Sequence, residues 1–339
     1  LAWLAVLMHV FNHGIFKGLL FLSAGAVIQG SHCKDMEKMG GLIRLMPWTA
    51  LVFIIAGAAI SALPPLNGFV SEWLVYQSLF ALPQAVPSMF SKAGGALLIA
   101  ALGLTGALAA ACFVRAIGII FLAKPRSEAA KSAAECPTVM LVPMFGLATM
   151  CVAAGVFPQV LLTSAMKISE NFLLLSGSGV AIDIWGTMLV EVSRKESAVS
   201  LPLVVLMLCV GLAVALAAVR LGGKCVTTVK ETWTCGIVPN ARMEYTATGF
   251  AKPIRVAFGT ILRFKRERNV NTELNQYHGA EINYNISIER VVIKRIYDPV
   301  NDLIIKSARS MRKLQNGSLS RYIGYIMAVT VLALIWSTR

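Results

Sequence analysis

Between Trp3 and Gln29 lies an apolar run long enough to cross a bilayer, which as a helix takes about 20 residues, and it carries His9, His13 and Lys17. The three stand at i, i+4 and i+8, so at about 3.6 residues per turn they share one face. A charged lysine in the middle of a spanning helix costs about 2.5–3.5 kcal/mol on insertion scales, so this face is expected to meet a protein interior or water rather than lipid. A lone histidine on such a helix more often cross-links to a neighbour, and a lone lysine more often snorkels to the interface. Ionisable groups grouped on one face point instead to a functional, wet face.

With 57% hydrophobic residues, 14% charged residues and a mean hydropathy of +0.70 over 339 residues, the chain falls outside the soluble globular range and inside that of multi-span membrane proteins. A net charge of +14 on a soluble surface would suggest nucleic acid, but more than half of the 31 Lys and Arg lie between Arg220 and Arg321. That bias is a cytoplasmic-side signature, and no nucleic-acid partner is expected. The cysteines form no CxxC pair and none of the usual zinc or iron–sulfur spacings; Cys225 and Cys235, the loop pair, have no histidine close by. Neither a metal nor a cofactor is expected. No nucleophile–base pair or phosphate loop is present, so no catalytic centre is read in this chain. Its first residues carry no initiator Met, basic leader or small-residue cleavage site, and the chain reads as the C-terminal part of something longer.

After Gly30 a short polar loop, 31–44, contains the turn pair Gly40-Gly41. The apolar stretch 46–63 is then interrupted by Pro64, Pro65 and Gly68, which remove backbone donors and add freedom, before a second short apolar run opens at Glu72. A break of this kind at membrane depth is tolerated only against protein or water. At the surface it is a tight turn, and sequence does not place its depth. Glu72 is the one acidic residue in the apolar segments, which favours a functional break. Residues 94–123 form a long apolar helix with small residues at its start and Arg115, a snorkelling candidate, near its end. Further spans are expected over 139–158, Leu201 to Val219 and Tyr322 to Trp336. The stretch 159–197 is polar enough to leave the membrane, with Phe172 to Leu175 and Ile182 to Val190 able to dip into an interface. Residues 286–314 are amphipathic, with Ile293, Ile296, Val300, Ile304, Ala308 and Met311 at helical spacing, and Asp298-Pro299 is expected to kink or divide that helix.

His9-x-x-Asn12-His13-x-x-Phe16-Lys17-x-Leu19-Leu20-Phe21-Leu22, then Met39-Gly40-Gly41-Leu42 and Leu63-Pro64-Pro65-Leu66-Asn67-Gly68-Phe69-x-Ser71-Glu72, resemble the antiporter-like subunits of respiratory complex I and of multisubunit cation/proton antiporters. Within that superfamily the segments Lys124 to Glu128, Trp233 to Gly236, Ala241 to Thr248, Tyr297 to Val300 and Leu314 to Gly317 are similar to the hydrogenase-4 component B and formate hydrogenlyase subunit 3 family. The resemblance implies inverted helical repeats around a hydrophilic axis lined by protonatable groups. It matches Lys17 to the mid-membrane lysine of the second repeat, His9 and His13 to the histidines beside it, and Glu72 to the charged residue near the broken helix. Some family members carry lysine where this chain has Glu72, and the whole first repeat, with its glutamate–lysine pair, is missing here. The implied partners are other membrane subunits of a hydrogenase or complex I-like assembly, the lipid bilayer, and protons or sodium.

The expected architecture is therefore an all-α, polytopic helix bundle of the cell inner membrane with a broken helix, a cytoplasmic lateral helix and a C-terminal anchor. Its expected divisions are a transmembrane core over 1–158, a loop and further span over 159–220, a basic cytoplasmic segment over 221–320 with the lateral helix at about 286–314, and the anchor over 321–339. The implied function is proton translocation in a redox-driven complex through Lys17, His9, His13 and Glu72. A sodium/proton antiporter subunit without a redox partner, and a non-conducting structural fragment, stand as the alternatives.

Overall fold

The computed structural model describes residues 2–173, 201–222, 233–262, 264–271, 281–288, 293–312 and 317–337. The described chain falls into two compact units, Leu1–Ala251 and Lys252–Arg339. The first unit holds α1 (Ala2–Ser31), α2 (Pro47–Ile60), α3 (Asn67–Ala85), α4 (Met89–Ile120), the short α5 (Glu128–Lys131), α6 (Thr138–Val156), α7 (Gln159–Leu173), α8 (Leu201–Leu221) and the short α9 (Ala247–Phe250). Among the described residues five helices, α1, α4, α6, α8 and α13 of the second unit, are long and apolar enough to cross a membrane, which makes this a multi-pass membrane protein.

Helix α1 is the centre of the first unit and packs against α2, α3, α6 and α7. Its lower half joins Phe16, Leu19 and Val27 to Met46, Phe53, Phe121 and Met144 in one apolar cluster; its upper half joins Leu4 and Met8 to Val70, Leu74 and Leu162 in another. The contacts fix directions. Along α1 from its end to its start, Gly30 faces Met46, Asn12 bonds Asn67, and His9 bonds Ser71. Helices α2 and α3 therefore make one interrupted traverse, antiparallel to α1, rather than two spans joined by a surface turn. Helix α4 returns beside them, with Gly57 against Phe113 and Ile117, Glu72 near Gly106, and Gly95 near Leu79 and Leu82.

Helices α6 and α7 form a second interrupted traverse, which corrects the expectation that the chain leaves the bundle at 159. A Cβ on Gly155, at the end of α6, would run into the Pro65 carbonyl, so this helix ends against the first break. After Phe157 and Pro158 the chain continues as α7, whose Leu162 and Ala165 are buried with Leu4, Met8 and Val70. Thr163, Ser164 and Lys167 on its exposed face supplied the polar signal that read as departure from the membrane. Residues 174–200, including the expected interfacial stretch 182–190, lie outside the described residues.

At the opposite end of the bundle, side-chain carboxylates satisfy backbone donors of other segments. Glu135 accepts from the Trp48 and Thr49 N–H groups at the start of α2, which has no side-chain cap of its own. The Gly40-Gly41 pair adopts φ of 140° and 67°, and a Cβ on Gly40 would meet the Lys124 carbonyl, so this turn admits glycine because it needs both the left-handed backbone and the close approach.

The second unit holds α10 (Lys252–Ala257), α11 (Gly259–Leu262), an antiparallel ribbon of β1 (Phe264–Asn271) and β2 (Glu281–Ile288), α12 (Asp298–Arg312) and α13 (Leu319–Ser337). The ribbon is an addition to the helical architecture, and it corrects the expected amphipathic helix over 286–314: residues 286–288 belong to β2. Among the described residues the helical part opens on a π-turn at Ile293–Tyr297 and becomes α-helix at Asp298, the point where Pro299 favours a new start. Along α12 Val300, Leu303, Ile304 and Met311 are all exposed.

Candidate functional site

The site is built where the α2–α3 break crosses α1. After Ile60 the backbone closes on itself: the Ser61 hydroxyl donates to the Gly57 carbonyl at 2.7 Å, Leu63 N–H to Ala58 at 3.1 Å and Leu66 N–H to Leu63 at 3.0 Å. A Cβ on Gly68 would strike the Ala59 carbonyl, so the start of α3 is pressed against the end of α2. Asn12, fully buried in α1, donates through Nδ2 to the Asn67 carbonyl at 3.0 Å, and Asn67 Nδ2 donates back to Asn12 Oδ1 at 3.2 Å. The Asn67 Oδ1 atom is itself buried without a hydrogen-bond partner. Asn12 stands about 28 Å along the axis of α1 from its end at Ser31, with helix continuing on its other side. The break therefore lies alongside the interior of a spanning helix. Its freed backbone groups meet protein, as membrane depth requires.

Of the residues expected from sequence, His9 and His13 share a face, with ring centroids 5.6 Å apart. His9 Nδ1 lies 3.1 Å from the Ser71 hydroxyl, so α1 is joined to α3 one residue before Glu72. Glu72 leaves α3 about 100° around from Ser71 and faces α4 at Gly106 rather than α1. Lys17 is half-buried two turns along α1 from His9, and His13 between them is exposed. Among the described residues no ion pair joins Lys17 to Glu72. The structure thus unites His13, His9, Ser71 and the break, sets Glu72 beside them on a neighbouring face, and leaves Lys17 on the α1 face alone. Among the described residues no group of three or more His, Cys, Asp or Glu stands together to hold a metal ion.

Sequence reasoning gave no role to Asn12, Asn67 or Ser71, although fully buried polar residues within apolar runs were the available signal. It also passed over a latch on the loop end. Arg126 donates to the Met39 carbonyl at 2.7 Å, to the Ile119 carbonyl at 3.0 Å and to the Tyr245 carbonyl at 3.2 Å, and stands 3.9 Å from Glu244. Glu244 accepts from the Lys124 N–H, and Glu37 accepts from the Ala247 and Thr248 N–H groups at the start of α9. Partial burial pushes the Glu37 carboxyl up, but the Thr248 hydroxyl and the two N–H donors outweigh it and hold the group below the usual carboxylate range.

Residues 1–100 match the family described as NADH:quinone oxidoreductase/Mrp antiporter, transmembrane. The chain is 36% identical to hydrogenase-4 component B of Escherichia coli (strain K12) over 98% of its own length and 49% of that protein. It is 33% identical to formate hydrogenlyase subunit 3 of the same organism over 78% of its length and 40% of that protein. Its fold is similar to that of a chain in the membrane-bound sulfane sulfur reductase, an archaeal respiratory membrane complex, with a TM-score of 0.62 at 20% identity over 98% of this chain and 47% of that one. The chain thus spans about half the length of these curated relatives, or less. The chain is thus a homologue of hydrogenase-4 component B over nearly all of its own length and of formate hydrogenlyase subunit 3 over about three quarters of it, and its first 100 residues are similar to the antiporter-like membrane subunits of complex I-like assemblies.

Proposed function

We propose that this chain is a proton-translocating membrane subunit of a redox-driven complex of the hydrogenase or NADH-dehydrogenase-like kind, working alongside other membrane subunits in a cell inner membrane. Lys17, His13, His9 and Glu72 carry the protons; Ser71 and the Asn12–Asn67 pair hold His9 and the break in register. The observation that carries the reading is the His9–Ser71 bond beside Glu72 at an interrupted helix inside the span. Ionisable groups at such a break are costly in apolar surroundings, and polar access to them is what a proton path needs. No bond-making chemistry is assigned to the chain. Electron transfer elsewhere in the complex shifts charge along the axis, and each group gains or loses its proton as its neighbours change. Similarity to a hydrogenase component over 98% of the chain, against 49% for a sodium/proton antiporter subunit A1 of Staphylococcus aureus, supports a redox partner over a stand-alone sodium/proton antiporter. The amphipathic α12 is proposed to lie along neighbouring membrane subunits on the cytoplasmic side.

The test is Glu72→Gln against Glu72→Asp in the assembled complex, with proton uptake measured in vesicles while electron transfer is monitored separately. Gln keeps size and hydrogen bonding but cannot ionise. The expected result is loss of proton uptake in Gln and retention of most of it in Asp. Wild-type uptake in Glu72→Gln would remove Glu72 from the path.

A further inference from the structure

In the second unit β1 and β2 pair antiparallel, from Phe264 opposite Ile288 to Asn271 opposite Glu281, as a ribbon of two strands of 8 residues each. Residues directly opposite share a face and faces alternate along a strand, so this register sorts the ribbon by chemistry. One face takes Ile282, Tyr284, Ile286 and Ile288 from β2. On β1 the same face takes Phe264 and Val270, with Arg266 and Arg268 between them. Every other residue of the ribbon is polar and falls on the opposite face, and both of its carboxylates, Glu267 and Glu281, are among them. The first face is therefore apolar, with positive charge alone. A two-stranded ribbon is marginal in water unless its apolar face is covered. Among the described residues the sheet has no third strand, and α10, α12 and α13 bury no residue, so none of them is packed on it.

We infer that this face of the ribbon docks on the anionic phospholipid surface of the membrane that α13 enters, its apolar residues taking the interfacial layer and Arg266 and Arg268 the lipid phosphates. Size favours lipid over a protein partner. At about 3.3 Å per residue and about 4.8 Å between strands the face measures about 26 Å by about 10 Å, or about 260 Å², against about 800 Å² on each side of a standard protein interface. Charge favours it too. Two arginines without a carboxylate complement a phosphate surface, which the guanidinium fork can meet with two hydrogen bonds at once. Tyr284 on the same face suits the headgroup level, where tyrosine is enriched. Finally, α13 is long and apolar enough to cross a membrane, so the unit that carries the ribbon is already tethered, and a weak surface contact is enough as its second attachment. The docking is independent of any proton-carrying role of Lys17, His9, His13 or Glu72.

The test places cysteines at neighbouring positions on opposite faces, Ile286→Cys and Asn285→Cys, in the assembled complex held in nanodiscs of phosphatidylcholine alone or mixed with phosphatidylglycerol. A membrane-impermeant maleimide is added, and its rate of reaction is read by mass spectrometry on the peptide carrying the new cysteine, which keeps the native cysteines out of the measurement. Ile286→Cys is expected to react several-fold more slowly with phosphatidylglycerol present, and Asn285→Cys at the same rate in both lipids. Adding Arg266→Glu and Arg268→Glu to Ile286→Cys is expected to restore the rate seen in phosphatidylcholine alone. Should the charge reversal block assembly, Arg266→Gln with Arg268→Gln is expected to restore it in part; should Ile286→Cys block it, Ile282→Cys and Asn283→Cys form the second pair, with the same pattern expected. Fast reaction of Ile286→Cys in both lipids would mean that the face is free, and slow reaction in both that protein covers it; either result overturns the inference. So would shielding of Asn285→Cys in its place, or shielding of Ile286→Cys that survives loss of the two arginines.

Discussion

Ser71 has one hydroxyl proton and two acceptors for it, the Gly68 carbonyl and His9 Nδ1, each at 3.1 Å. When the proton points to Gly68, His9 Nδ1 must donate to Ser71; when it points to His9, the imidazole nitrogen accepts. Rotation of one side chain is thereby tied to the protonation of another, which suits a group that passes protons on. Lys17 stands apart from this pair and, half-buried, makes no ion pair among the described residues. Lys17→Met is therefore expected to leave assembly intact and to lower proton uptake in vesicles by about tenfold or more, equivalent to a barrier rise of about 1.4 kcal/mol or more. Wild-type uptake in that variant would remove Lys17 from the path. The histidines and Glu72 stand out in the sequence as ionisable groups in apolar runs, and their role in a proton path is a proposal. Asn12 and Ser71 do not stand out, because a neutral polar residue declares itself only through the partner that the fold brings to it.

Helix breaks are decided by contacts between elements as much as by proline. The Pro64-Pro65 interruption was visible in the sequence; its position inside the span follows from the pairing of Asn67 with Asn12 on α1. The second interruption, at Phe157 and Pro158, abuts the first because α6 has no side chain at Gly155, where a Cβ would enter the space of the Pro65 carbonyl and the Leu66 backbone. Gly155→Val is accordingly expected to destabilise the bundle by about 1–3 kcal/mol, the usual cost of overpacking a close contact. Gly146→Val on the same helix, where a Cβ meets nothing within 4 Å, is the matched comparison. Thermal unfolding of the purified complex should show a lowered transition for Gly155→Val and little change for Gly146→Val; equal behaviour would mean that the two breaks are not held together by this contact.

Over the first unit as a whole, the loop end of the bundle is closed by carboxylates that reach across long sequence separations, Glu37 to Thr248 and Glu244 to Lys124. Glu37 is held below the usual carboxylate range when folded, so it contributes stability above the unfolded carboxyl's range, and that contribution is lost as pH falls through the lower, folded value. Hydrogen exchange at the Ala247 and Thr248 amides, corrected for its intrinsic pH dependence, is therefore expected to be slow at neutral pH and to accelerate on acidification. In Glu37→Gln it is expected to be faster at neutral pH and to lose most of the pH dependence. Protection that is unchanged by acid and by Glu37→Gln would show that the latch is held by Arg126 alone.

Hydropathy and spacing alone were enough to identify a multi-span helical membrane chain, the face shared by His9 and His13, the isolation of Glu72 and the interruption at Pro64-Pro65, because each follows from local composition and the helical repeat. Tertiary structure decided the rest. It set the depth of the break through Asn12, joined α6 and α7 into a second interrupted traverse, turned Glu72 toward the glycines of α4, and folded the segment around Glu244 onto the loop end. The physical reason is common to all of these. They depend on which backbone a side chain meets across tens or hundreds of residues, and a periodic pattern within one segment carries no information about the segment packed against it.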